Sequence, residues 1–166
     1  MPPLVAAMIS LGVLGAIDTY ITATVFPVPV WVTFIAWASF YACGGGQQGL
    51  VKSVVSNWTG IIIASLTLLV IQYGPQQPIF VALLVGLGTS AMVMVSSIKI
   101  LNFPPAIVFG FASLVGTTAA TNTSVVTSGM NHPTLVAMAA MLLGGAFGLL
   151  SEIGTSLLST KKPATA

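Results

Sequence analysis

The sequence predicts an all-α polytopic membrane protein of six transmembrane segments, built as two inverted three-segment repeats with the second and fifth segments short. Three observations predict it. The chain is 56% hydrophobic and only 4% charged, with a mean hydropathy of +1.06, whereas soluble domains carry roughly 25% charged residues. Its apolar runs are punctuated by short Pro- and Gly-containing breaks. Finally, a shift of 74 residues lays Ala36 to Phe40 over Gly110 to Leu114, Gly12 over Gly86, and Thr22-Ala23 over Ser96-Ser97 without a gap. Three crossings per unit is an odd number, so the second copy enters from the opposite face.

The elements follow in order. Leu4 to Ala23 is a first span interrupted by Asp18 and a few hydroxyls, and Pro27 and Pro29 turn the chain after it. Trp31 to Gly46 is apolar but stops after about four helical turns on three consecutive glycines, too early to cross a hydrocarbon layer of ~30 Å. Broken backbone at that depth is tolerated only when buried in protein or lining a wet cavity. Gly49 to Gln72 is a full span, Gly74-Pro75 a tight turn, and Ile79 to Ile98 the fourth span. Asn102 to Pro105 opens the second short segment, Ala106 to Ala120, which passes into a hydroxyl-rich loop ending at Pro133. Thr134 to Leu158 is the last span. The whole is one membrane domain, 1–166, with repeat one at about 4–72, repeat two at about 79–158 and a polar cytoplasmic tail at 159–166. Met1-Pro2-Pro3 lacks the basic n-region of a cleavable signal peptide, so the first span is expected to remain.

Charge supports the crossing number. Six crossings place Lys52, Lys99, Lys161 and Lys162 on one side together with the N-terminus. Lysine and arginine are enriched in cytoplasmic loops, which puts both termini in the cytoplasm. Four lysines, no arginine, two carboxylates and one histidine leave no basic patch for nucleic acid and too few ligands for an ordinary metal cage. No cofactor is expected. A single cysteine, Cys43, excludes an internal disulfide framework.

Trp31, Phe34, Phe40-Tyr41-Ala42-Cys43 and Gly45-Gly46 form a pattern of Trp-x-x-Phe, an aromatic pair, Ala-Cys and glycines. It is similar to a bacterial inner-membrane family catalogued as domain of unknown function 1097. Pro105, Phe109-Gly110 and Ala112 resemble that family's second motif. The resemblance covers most of the chain and departs in the hydroxyl-rich loop Thr121 to Pro133, which is long for the family. It implies a small multi-pass protein of the bacterial inner membrane and carries over no catalytic or binding residue.

Several residues are candidates for a solute pathway. Asp18 shares a helical face with Gly15 and Thr22, and a carboxylate within a span costs about +2.5 to 3.5 kcal/mol on insertion scales, so it points into the protein. It reads either as a proton or solute ligand near the outer mouth or as a satisfied interhelical hydrogen bond. Glu152 continues the stripe Ala140, Gly144, Gly148, a close-packing surface, and reads as a helix contact or an inner-mouth residue. Asn57 bonds across helices or lines a pore. Trp37 and Phe40 of the first short segment, with Phe111, Ser113 and Thr117 of the second, would wall a constriction next to Gly44 and Gly45, or else pack against helices and lipid. His132 reads as an ordinary loop histidine or a gating group.

These features favour a channel or facilitative transporter for a small, mostly uncharged solute. The alternative is a non-transporting subunit or scaffold assembling through small-residue helix faces. An intramembrane enzyme is disfavoured, since Asp18, His132 and Glu152 are expected at different depths. The partners implied are the lipid bilayer, the small solute and, from the small-residue faces, further copies of the chain as a homo-oligomer.

Overall fold

The computed structural model describes residues 1–159; Lys161, Lys162 and most of the polar tail lie outside the described residues. Six α-helices run α1 (Pro3–Thr24), α2 (Val30–Ala42), α3 (Gly46–Tyr73), α4 (Pro78–Val95), α5 (Pro104–Thr121) and α6 (Pro133–Leu158), with a 3₁₀ turn at Lys99–Leu101 before α5. Among the described residues there is no strand. Five of the helices are long and apolar enough to cross a membrane, and α2 is a shorter apolar helix of 13 residues. At 1.5 Å per residue α2 is about 20 Å long, well below the ~30 Å of hydrocarbon. The protein is a multi-pass membrane protein.

Helix α5 is not the short segment that the sequence suggested. It begins two residues before Ala106, at Pro104, and with 18 residues equals α4. Proline is tolerated in the first turn, where its missing N–H has no helical partner to lose. Conversely α4 stops at Val95 rather than Ile98. The hydroxyls of Ser96 and Ser97 donate back to the carbonyls of Val93 and Met94 at 2.6 and 2.8 Å, a local alternative that competes with helix continuation.

The four helices α2, α3, α5 and α6 form the centre, with α3 lying along α5 and α2 along α6 as the two most extensive pairings. Helix α1 covers α6, and α4 covers α3 and α5. Glycine makes both central crossings possible. A Cβ on Gly60 would overlap the carbonyl of Ile107, and one on Gly110 would overlap the carbonyl of Asn57. On the other pair, a Cβ on Gly144 would overlap the carbonyl of Thr33, and Gly148 receives the ring of Phe40. Such backbone-to-backbone approach is how small residues drive helix association in lipid, where hydrophobicity gives no preference for protein over acyl chain. The Ala140-Gly144-Gly148 stripe is thus taken up inside the chain, on α2.

One end of the bundle gathers the start of α1, the break between α2 and α3, the start of α5 and the end of α6. There the Met1 amino group donates to the Leu158 carbonyl at 3.2 Å, and Lys52 sits 5.7 Å from the centroid of the Phe103 ring, beside the turn carrying Lys99. We call this the lysine end. At the opposite end His132 caps α6. Its Nδ1 accepts from the Thr134 amide at 3.2 Å, so Nε2 carries the proton and donates to the Val125 carbonyl at 3.1 Å.

Candidate functional site

The break after α2 is a closed structure rather than loose backbone. The Gly45 N–H bonds the Phe40 carbonyl and the Gly44 N–H bonds the Tyr41 carbonyl, the paired bonds of a Schellman turn. Gly44, Gly45 and Gly46 have φ of +103°, +69° and +61°, which explains three glycines in succession. The remaining amide, Gly46 N–H at the first turn of α3, donates to Glu152 Oε2 at 2.7 Å. Helix N-termini favour carboxylates through the macrodipole and the unsatisfied amides. Glu152 of α6 therefore serves as the cap that Gly45, having no side chain, leaves open.

Asp18 lies toward the opposite end of α1, six residues or about 9 Å before its last residue. It is fully buried. Its Oδ2 meets the Thr33 hydroxyl of α2, while Oδ1 is buried without a hydrogen-bond partner. Thr33 Oγ1 also lies 2.7 Å from the Val30 carbonyl.

Between these two ends Ser151 forms a hub. Its hydroxyl donates to the Gly148 carbonyl at 2.7 Å and receives Trp37 Nε1–H at 2.9 Å and the Tyr41 hydroxyl at 2.7 Å. Its carbonyl accepts from Ser10 of α1 and Thr155. One serine thus joins α1, α2 and α6. Removing it is expected to be costly: Ser151→Ala leaves the buried indole N–H of Trp37 without its acceptor, a loss of about 1–3 kcal/mol. Detergent-unfolding titrations followed by tryptophan fluorescence would measure it.

A second polar cluster joins α2 to α3. Ser53 Oγ donates to Ser39 Oγ at 2.8 Å, Ser39 to Asn57 Oδ1 at 3.0 Å, and Asn57 Nδ2 to Ser53 at 3.2 Å. All three residues are fully buried, so the ring satisfies itself without solvent. The hydroxyls of Ser56, beside Asn57 on α3, and of Ser113 on α5 are buried with no partner. Thr117 is satisfied by the Ser113 carbonyl at 2.7 Å.

The structure therefore brings some candidates together and separates others. Gly45 meets Glu152, and a Cβ on Gly45 would stand 3.1 Å from its carboxylate oxygens; Gly44 faces open space. Trp37 stacks on Phe147 at 6.0 Å between ring centroids, and Phe40 packs on Gly148, both toward α6. Phe111 instead lies against Gly88 of α4. Trp37 and Phe111 thus turn to different neighbours, while Trp31 at the start of α2 sits on Gly116 of α5. Sequence reasoning did not single out Thr33 or Ser151. A threonine and a serine carry no signal in an apolar helix until the partner helix is known.

Two open cavities flank the α1–α2–α6 seam. One, of about 390 Å³, is bounded by Phe26, Pro27 and Val28 and by Leu135, Val136 and Ala139. The other, of about 530 Å³ at the lysine end, is bounded by Ala7, Leu11, Tyr41, Glu152 and Thr155.

No curated protein and no solved structure matches the chain. A family model does match, over residues 8–156. The glycine break and the α2 aromatics that carry the resemblance fall within that range, and the chain belongs to the family described as "Protein of unknown function (DUF1097)".

Proposed function

We propose that the protein is a channel or facilitative transporter for a small, mostly uncharged solute in a bacterial inner membrane, with its lysine end in the cytoplasm. The observation that carries the reading is the string of polar groups along one seam, which ends at an open cavity beside Tyr41 and Glu152, with a second open cavity between the α1–α2 loop and the start of α6. From the end away from the lysines the seam passes Asp18 and Thr33, then Trp37, Ser151 and Tyr41, and reaches the cavity beside Glu152. This route follows α1, α2 and α6 rather than the contact between α2 and α5. Ionisable groups inside a membrane protein mark functional pathways, and Asp18 is buried there with Oδ1 lacking a hydrogen-bond partner.

The helix pairings support the inverted repeat. Exchanging α1, α2, α3 with α4, α5, α6 turns the α3–α5 pairing into α6–α2, and these are the two most extensive. The crossings agree in register on one side: Ile107, which meets Gly60, stands 74 residues after Thr33, which meets Gly144, while Gly144 itself stands 84 residues after Gly60. The offset of 74 is the one that aligns the two halves. In the counterpart seam Phe111 replaces Trp37 and no carboxylate replaces Asp18, so the two halves are unequal in polarity.

The scaffold reading rests on small-residue faces. Gly144 and Gly148 are used on α2, but Gly12 within α1 and Gly86 within α4 each face open space. In a homo-oligomer these would admit a second copy beside the seam. The experiment that separates the readings is flux into liposomes containing the purified protein, across small amides, polyols, weak acids and ammonia. A channel gives flux above empty vesicles for at least one class, reduced when Asp18→Asn is introduced. Flux equal to empty vesicles across the panel overturns it.

A further inference from the structure

The Thr33 hydroxyl has one hydrogen and two acceptors in reach, Asp18 Oδ2 and the Val30 carbonyl. If it donates to a carboxylate, the Val30 contact is not a hydrogen bond. If Asp18 carries a hydrogen on Oδ2, the acid donates to Thr33 Oγ1, and the hydroxyl is free to donate to Val30. Both contacts are then satisfied, and the uncovered atom, Oδ1, is a neutral carbonyl oxygen rather than half of a buried anion.

We propose that Asp18 is a proton-binding site within the membrane, occupied at neutral pH as a carboxylic acid that donates to Thr33. The surroundings favour a proton over other cations. The side chains in contact supply one carboxyl group and one hydroxyl, whereas hard metal cations such as Ca²⁺ require six or more oxygens. Ionisable groups on the elements packed around α1 face elsewhere. On α2, Tyr41 is bonded to Ser151, and Cys43 lies beyond it at the glycine turn. On α6, Glu152 is bonded to Gly46 N–H, and His132 at the opposite end is bonded to Val125 and Thr134. Lys52 and Lys99 belong to the lysine end, and the sequence contains no arginine. Thus, among the described residues, no cation is placed to hold Asp18 as an anion.

The site stands independently of whether a solute passes, so it can be tested without a flux assay. Infrared spectroscopy of the intact protein in liposomes at neutral pH reads the carbonyl stretch of a protonated carboxylic acid. The assignment is clean because the chain has only two side-chain carboxyls. The expected result is a band that disappears in Asp18→Asn, survives in Glu152→Gln, and shifts on transfer to D₂O. Should Asp18→Asn fail to fold, Thr33→Val retains the acid and tests the same point: the band persists and moves to higher frequency as its hydrogen-bond acceptor is lost. Absence of a protonated-acid band in the wild type, or loss of the band in Glu152→Gln, overturns the proposal. A band that behaves as expected in a protein without flux leaves the site in place and removes the transport reading alone.

Discussion

Replacing Gly60 with alanine is expected to unseat α5 from α3 and to destabilise the protein by about 3 kcal/mol, the upper end for overpacking. The added carbon would overlap the Ile107 carbonyl and crowd the Phe111 amide. Those are backbone atoms of a helix, so no side-chain rotation relieves the clash. Alanine's better helix propensity, worth up to about 1 kcal/mol, offsets only part of it. Gly12→Ala is the control, because its Cβ would enter open space and the same propensity acts alone. Unfolding in mixed detergent micelles, followed by circular dichroism, should show Gly60→Ala strongly destabilised and Gly12→Ala equal to or above the wild type. Equal stability of the two variants would contradict the close α3–α5 crossing.

The second large effect is expected at Gly45. Leucine there must adopt φ near +69° with ψ near −172°, a region that is essentially glycine's own and costs other residues about 1–3 kcal/mol. Its Cβ would also press on the Glu152 carboxylate from 3.1 Å. On the proposed channel reading, the expected outcome is a chain that inserts at normal levels but loses liposome flux, because the lysine end of α3 gives up its cap and Glu152 is pushed toward the adjacent cavity. Glu152→Gln keeps a hydrogen-bond acceptor for Gly46 N–H while removing the charge that favours a helix N-terminus, so it should retain part of the flux. If Gly45→Leu conducts like the wild type, the glycine break has no part in the pathway.

The sequence made the helical crossings legible because each is a long apolar run, and made α2 legible as short because the three glycines end it. It also marked Gly144 and Gly148 as a packing stripe and Asp18 as inward-facing, since spacing along one helix determines which residues share a face. What it left open was the partner of each face. Trp37 and Phe111 occupy matching places in their halves, yet one meets Ser151 and Phe147 and the other meets Gly88. Those choices depend on residues more than twenty positions away. Glu152 illustrates the same point: its stripe predicted a helix contact, but the amide it caps lies 106 residues earlier. The extent of α5 was misjudged for a local reason, the two prolines at its start, which read as a turn but occupy the first helical positions.

That long separation bears on how the chain assembles. A 13-residue α2 offers too little apolar length to lodge in a bilayer by itself, whereas α2 and α3 joined by the Schellman turn form a hairpin that can enter as a unit. The hairpin leaves the ribosome with the first amide of α3 still waiting for its acceptor, which arrives only when α6 has been synthesised. Glu152 can therefore close on Gly46 only once α6 has been made, so the break between α2 and α3 is completed by the final helix.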